Sequence, residues 1–364
     1  MKARDLERLT DLAMDYSLAV RPGHIVVVSG PDVAEDFLRR LFEAVLARAG
    51  LPVIRLRGDL YRQTLLHTTG DDRDRWLNPL GVPDGSPIDR SLGIWTAGPP
   101  GSGACDASPA SPNGDERARQ GAFLHAAAER KLRWLALFYP TPAAARAATM
   151  SAEDFTTLVA AADMLDTPDP AAAWQEAFDR QQRLCTTLGK ADTIRFTTPE
   201  GTDLTVGVAG RTWINNAGHR NLPDGEIFTA PVESGVHGTF VADLPVLFRG
   251  QVIRGARLEF NGGRLVRTGA DEGSAALRDL AATDPGASRV GEIALGLNPR
   301  RTAATTISLL DEKIGGTFHV GIGAAYPETG GTNSSVVHRD FIADLRRGGR
   351  IDVDGEPFEI RIGA

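Results

Sequence analysis

No part of the chain limits its fold more than His24–Leu56. His24-Ile-Val-Val-Val-Ser29 is a short apolar run of the buried-strand type. Ala34–Ala49 follows with helical spacing: Leu38, Leu41, Phe42, Val45 and Leu46 share one face, and Gly50 is placed to end the helix as a C-cap. Leu51-Pro-Val-Ile-Arg-Leu56 reads as a second strand. Strand, helix and strand within about 33 residues make a βαβ unit, for which a right-handed crossover is expected.

The Ser-Gly-Pro-Asp turn after the first strand has no Gly-x-Gly-x-x-Gly pattern and is read as a structural turn, not a phosphate site. Residues 97–118, rich in Gly, Pro, Ser and Ala, read as a mobile loop, and Arg119–Phe138 as a long helix. Ser151-Ala-Glu-Asp154 is a near capping box, and Pro170 opens a helix that can run to Gly189. From Asp192 the texture changes. Thr193–Thr198 and Asp203–Val208 flank Pro-Glu-Gly-Thr, and Arg257–Phe260 and Arg264–Arg267 flank Asn-Gly-Gly, which are two hairpin signals. A helix is expected near Ser274–Ala282. The expected fold is an α/β N-terminal domain with a helical connection over residues 1–188. An α+β, mostly antiparallel, strand-rich C-terminal metal-binding domain follows over residues 189–364.

Composition narrows the function. A chain of 364 residues makes two domains the natural expectation, and a formal charge of −7 argues against a nucleic-acid partner. Cys105 and Cys185 are the only cysteines, too few for a disulfide framework. The N-terminal Met-Lys-Ala-Arg-Asp-Leu-Glu-Arg carries acids and no apolar core, unlike a secretory signal. No stretch approaches about 18 uncharged apolar residues, so no membrane span is expected, and the cytoplasm is the expected location.

Five candidate metal ligands stand in short motifs of the last two-fifths of the chain. They are Glu226 in Gly-Glu-Ile-Phe-Thr-Ala-Pro, Glu292 in Gly-Glu-Ile-Ala-Leu-Gly, His319 in Gly-Thr-Phe-His-Val-Gly-Ile-Gly, and His338 and Asp340 in Val-Val-His-Arg-Asp-Phe. Three carboxylates and two imidazoles exceed what one catalytic zinc takes. They suit two divalent cations clamping a hydroxide, whose charge together with three carboxylates offsets two M²⁺ ions. His338 and Asp340, two apart in a strand, would share a face with Arg339 on the other. Thr317, His319 and Gly321 would likewise align, the glycines leaving room for metal and substrate. Taken singly, each has a plainer reading: a satisfied core histidine, a surface His-Asp pair, a surface glutamate at a strand start. His237, Glu233, Glu312 and Lys313 are candidates to support the ligands, with a surface ion pair as the plainer reading of Glu312–Lys313.

The same segments resemble the thermophilic metallo-aminopeptidase family that includes the aminopeptidases T and S. The similarity runs from Asn221-Leu-Pro-Asp-Gly-Glu-Ile-Phe-Thr-Ala-Pro231 through Gly291-Glu292, Asp311-Glu-Lys-Ile-Gly-Gly-Thr-Phe-His319 and Tyr326 to His338-Arg-Asp340, ending at Ile351-Asp-Val-Asp-Gly355. Weaker similarity, such as Phe138-Tyr-Pro-Thr141, extends it over most of the chain. The resemblance implies that Glu226, Glu292, His319, His338 and Asp340 bind two metal ions and that Tyr326 is an active-site tyrosine. It also implies a homodimer enclosing its active sites, limiting substrates to short peptides. Two departures are visible: the Asp-Glu-Lys-Ile run differs from the Asp-Glu-Asn-Ala type, and the interval from His319 to His338 is shortened to 19 residues.

The expected function is therefore a metallo-aminopeptidase using two divalent ions (Zn, Co or Mn). Tyr326 would donate to the tetrahedral oxyanion, and Glu292 would serve as ligand and catalytic group. The residues leave open which glutamate bridges and which group is the general base. The alternative on the same fold is a ring-cleaving dihydroxypyridine dioxygenase whose single Fe²⁺ is held by His319, His338 and Asp340.

Overall fold

The computed structural model describes residues 1–57, 88–97 and 132–360. Most of the loop read at 97–118, the first part of the helix read at Arg119–Phe138, and Cys105 lie outside the described residues. Cys185 is buried and free.

The first sheet is wholly parallel. Its strands β1 (Ile25–Pro31), β2 (Leu51–Arg57), β3 (Arg90–Trp95), β4 (Arg133–Phe138) and β8 (Asn221–Leu222) stand in the order β2-β1-β3-β4-β8. The βαβ unit forms as expected, with the helix at Glu35–Ala47. Its buried face is Phe37, Leu38, Leu41 and Val45; Leu46 is 51% exposed, so the apolar stripe is turned by part of a turn from the expected one. The left-handed residue that ends this helix is Ala49 (φ 55), not Gly50. Gly50 closes the turn by donating to the Val45 carbonyl, and a Cβ there would lie 2.8 Å from Val45 Cγ1. Its role is close approach.

Arg133–Phe138 is a strand, which corrects the helical reading of that stretch. Trp134-Leu-Ala-Leu-Phe138 is a continuous apolar run paired on both sides in a parallel sheet, so its sequence has no apolar–polar alternation to distinguish it from a buried helix, although Leu135 and Leu137 are more deeply buried than Trp134 and Ala136. The helices at Ala152–Ala162 and Pro170–Leu188 form where caps predicted them. Ser151 Oγ accepts from the Asp154 N–H at 3.0 Å and also donates to its carboxylate at 2.7 Å.

The remaining strands are antiparallel. Both expected hairpins occur, β5 (Thr193–Thr197) with β6 (Asp203–Gly207) and β13 (Arg257–Asn261) with β14 (Arg264–Gly269). With β10 (Val236–Val241), β18 (Arg350–Val353) and β19 (Glu356–Phe358) they build a seven-stranded sheet, β14-β13-β10-β6-β5-β18-β19. A small hairpin, β11 (Val246–Phe248) and β12 (Gln251–Ile253), stands apart. The third sheet has the order β17-β16-β15-β9-β7, from β7 (Ile214–Asn216), β9 (Glu226–Thr229), β15 (Val290–Gly296), β16 (Thr317–Gly323) and β17 (His338–Asp344). The chain is thus a mixed α/β structure with one parallel sheet and strand-rich antiparallel ones. Among the described residues no helix is long and apolar enough to cross a membrane.

One face of the third sheet packs on the seven-stranded sheet. Ile293, Leu295, Phe318, Val320, Ile322 and Phe341 interleave there with Phe196, Leu204, Val206, Phe240 and Leu258. Phe318 is the hinge of this contact: its ring stacks on Phe196 at 4.3 Å and meets Phe240 edge-on at 5.4 Å. Phe318→Ala should lower stability by about 3–5 kcal/mol. The urea midpoint is the readout, and a shift equivalent to less than about 1 kcal/mol would contradict the packing described.

Candidate metal centre

Register brings the candidate ligands together. In antiparallel pairs, residues directly opposite point to the same face. Glu226 lies opposite Asn216 and Gly296, Ala294 opposite Phe228 and His319, and Gly321 opposite Glu292 and Asp340; Gly323 lies opposite His338. All five side chains therefore project from one face of four neighbouring strands, opposite the face that carries Phe318. A register shift between Val290 and Glu292 helps aim the Glu292 side chain. Gly321 sits at the centre, where a Cβ would lie 2.8 Å from Asp340 Oδ1, 3.0 Å from Glu292 Cβ and 3.2 Å from His338 Cε1. Only a glycine leaves that space open.

These side chains are not at the surface. Glu226 is 4% exposed, Glu292 5%, Asp340 7% and His319 0%. His319 Nε2 lies 3.1 Å from Glu292 Oε1 and 3.6 Å from Glu226 Oε2. His338 Nε2 lies 3.3 Å from Asp340 Oδ1 and 3.7 Å from Glu292 Oε2, while His338 Nδ1 donates to the Ala324 carbonyl at 2.8 Å. That last bond turns Nε2 toward the carboxylates.

Two groups of three emerge from this geometry: Glu226, Glu292 and His319, and Glu292, His338 and Asp340, the ligand atoms of each lying within 4.8 Å of one another. Glu292 belongs to both. Glu226 Oε2, fully buried, has no hydrogen-bond partner, as expected of an atom awaiting a cation. The donor set, mixed carboxylate and imidazole, fits divalent zinc, cobalt or manganese.

The electrostatics point the same way. Burial alone would lower both histidines, but the hydrogen bond to Glu292 and the Asp340 and Glu226 charges raise His319 to about 9. The Asp340 carboxylate, with Glu292, raises His338 to about 10. Burial raises Glu292 despite its bond to His319. Such a cluster draws in positive charge, whether protons or metal ions.

Neighbouring residues complete the site. Lys313, 1% exposed, is no surface residue: its ammonium lies 2.5 Å from Glu226 Oε1, 2.8 Å from Glu312 Oε1 and 3.9 Å from Asp224 Oδ1. Glu312 and Lys313 therefore support the ligands, and the plainer reading of a surface ion pair is set aside. Burial pushes Glu312 up to about 8 and Asp224 to about 6, against the pull of Lys313. Asn216 Nδ2 donates to Glu226 Oε1 at 3.1 Å. Asp224 lies within the Asn221-Leu-Pro-Asp-Gly-Glu226 stretch but is not among the sequence candidates, and Asn216 stands outside every motif, marked only by its nearness to Glu226 in the chain.

A cavity of about 100 Å³ opens on the cluster, lined among others by Trp134, Phe228, Leu309, Glu312 and Tyr326. Tyr326 packs against Phe228 at 5.2 Å and His338 at 5.5 Å. Burial and the surrounding carboxylates hold its phenol well above the usual value, so it remains a proton donor. Two other candidates lie elsewhere. His237 is exposed on β10, its Nδ1 accepting from the Gly262 N–H, and Glu233 pairs with Arg211 and Thr332.

The histidine shifts set a pH dependence for the metal-free protein. Both folded values lie above the ordinary 6.5, so their stabilising contribution is complete below that pH and is lost as pH rises through about 9 and 10. Urea midpoints of chelated protein should therefore fall across this window, and a bound divalent ion should flatten the slope. A flat profile without metal would contradict the charge arrangement.

The chain is similar to known proteins in sequence and fold. The thermophilic metalloprotease family (M29) matches residues 96–356. Aminopeptidase T of Thermus thermophilus is 29% identical over 394 residues, covering 97% of this chain and 94% of that one. Aminopeptidase T of Thermus aquaticus is 33% identical over 228 residues; that match covers 53% of each chain, so it spans about half the relative's length. The structure of wild-type AmpT from Thermus thermophilus superposes with a TM-score of 0.77 at 26% identity, covering 98% of this chain and 97% of that one. The 2,5-dihydroxypyridine dioxygenase of Pseudomonas putida KT2440 shares the fold with a TM-score of 0.58 at 14% identity, covering 97% and 95% of the two chains. On its motifs, its fold and the family match, the chain belongs to the thermophilic metalloprotease (M29) family of metallo-aminopeptidases.

Proposed function

We propose that the chain removes the N-terminal residue of short peptides at a two-ion centre, with Glu226, Glu292, His319, His338 and Asp340 as ligands. One observation carries this reading: the Glu292 carboxylate belongs to both three-ligand groups. A carboxylate common to two groups is suited to be shared by two ions, so Glu292, more than Glu226, would take that role. Glu226 and His319 would hold one ion together with Glu292, and His338 and Asp340 would hold the other with it, three protein donors each, as catalytic sites commonly provide. Two divalent ions would supply Lewis acidity for the scissile carbonyl and a water acidified toward neutrality.

The chain's own residues do the rest. The Ala324 carbonyl holds the His338 ring with Nε2 facing the site. Tyr326, kept protonated at the cavity wall, donates its hydroxyl hydrogen to the oxyanion that forms as the carbonyl becomes tetrahedral. Trp134, Phe228 and Leu309 give the cavity apolar walls for a side chain. A cytoplasmic homodimer completes the proposal; monomeric mass by light scattering would remove that part. The dioxygenase alternative has less support, because neither ligand group is the His319, His338 and Asp340 set and both include Glu292.

Chelation should abolish hydrolysis of short peptides, and Zn²⁺, Co²⁺ or Mn²⁺ should restore it, with metal content approaching two ions per chain at saturation. Full activity without metal, or one iron per chain with ring cleavage, would overturn the reading. Tyr326→Phe should lower kcat by about 10²–10³-fold, the loss of roughly 2.7–4 kcal/mol expected for one oxyanion donor. KM and metal content should hold. Near-normal kcat with both ions bound would remove Tyr326 from the chemistry.

A further inference from the structure

Lys313 makes the two halves of this centre chemically unequal. Among the described residues its ion-pair partners are Asp224, Glu226 and Glu312, so its charge falls on one ligand group and not the other. Glu226 divides its oxygens accordingly. Oε1 is occupied by Lys313 Nζ at 2.5 Å and Asn216 Nδ2 at 3.1 Å. Only Oε2 is left for a metal, 3.6 Å from His319 Nε2. An ion among Glu226, Glu292 and His319 therefore meets a half-neutralised carboxylate with a buried ammonium directly behind it. An ion among Glu292, His338 and Asp340 draws on two carboxylates, neither paired with Lys313.

Resting on the two-ion reading above, we propose that Lys313 sets two unequal affinities: a tight ion at Glu292, His338 and Asp340, and a weak, exchangeable ion at Glu226, Glu292 and His319. At 1% exposure Lys313 cannot swing into solvent to relieve the repulsion, which is felt at short range with little water to screen it. It does not itself line the cavity but stands behind Glu226 and Glu312, which do. At limiting metal the protein would hold one ion per chain, and hydrolysis would switch on with the second.

The test is calorimetric titration of chelated, dialysed full-length protein with ZnCl₂, with bound zinc counted by mass spectrometry. The wild type should give two steps of one ion each. Lys313→Met, similar in length but uncharged, should tighten the second step about tenfold or more while changing the first by less than about threefold. Glu226→Gln keeps the side-chain shape and leaves Lys313 paired with Glu312 and Asp224; it should abolish the weak step and preserve the tight one, which also controls for folding if Lys313→Met does not fold. Two equal steps in the wild type, an unmoved second step in Lys313→Met, or loss of the tight step in Glu226→Gln would overturn the inference while leaving a two-ion centre in place. A single ion per chain in the wild type and in Lys313→Met at saturating zinc would instead overturn the two-ion reading itself.

Discussion

Buried negative charge on one face of one sheet is the condition to which the rest of this structure answers. Glu226, Glu292 and Asp340 are almost entirely removed from water, and Asp224 beside them is wholly so. A carboxylate in such a place is costly unless it is paired, protonated or bound to a cation. Lys313 offsets part of the load, and the two imidazoles, held toward protonation, offset more. The orphaned Glu226 oxygen shows that the offset is incomplete. The stability to tolerate such a face comes from the opposite one, where Phe318 and its neighbours seal against the seven-stranded sheet. The third sheet is thus sided: one face holds the fold together and the other gathers the candidate metal ligands.

Strand register converts distant positions into one site. Glu226 and Asp340 are far apart in sequence, yet β9, β15, β16 and β17 stand side by side, and each ligand faces the same way because its partners do. A slip of one residue in β17 would carry His338 and Asp340 to the apolar side and Phe341 to the polar one. Hydrophobic packing therefore enforces ligand geometry. Gly321 marks where the two demands meet, since a methyl group there would press on Glu292, His338 and Asp340 together.

Much of this was legible where the signals are local. Hairpins announced themselves by turn residues between alternating runs, the Ser151 and Pro170 helices by their caps, and the ligands by motifs with the spacing of a familiar family. What was not legible depended on tertiary partners. Arg133–Phe138 reads as helix because its continuous apolar run has no apolar–polar alternation. Glu312 and Lys313 stand out in the sequence as candidates to support the ligands, but nothing in a sequence reveals that the lysine is enclosed by three carboxylates. That Glu292 is the glutamate common to both ligand groups depends on its place in the central strand β15, opposite Gly321, and motifs alone left the two glutamates equivalent.

The segment from β7 to β9 explains why the cavity lies where it does. β8 joins the parallel sheet, while β7 and β9 join the metal-bearing one, so these few residues belong to both. Asn298 secures the crossing: its Nδ2 donates to the Asp224 carbonyl at 2.7 Å and to the Ala162 carbonyl at 3.0 Å. Gly225, at φ 113, lets the chain pass so close that a Cβ would lie 2.8 Å from Asn298 Cβ. Glu226 is thereby positioned from two directions, while the opposite wall of the cavity takes Trp134 from β4 and Leu309 from a short helix. Trp134 and Leu309 thus sit on supports separate from the ligand strands, whereas Phe228 shares β9 with Glu226. Changes at Trp134 or Leu309 can therefore reshape what the cavity accepts without disturbing the register that holds the candidate ligands.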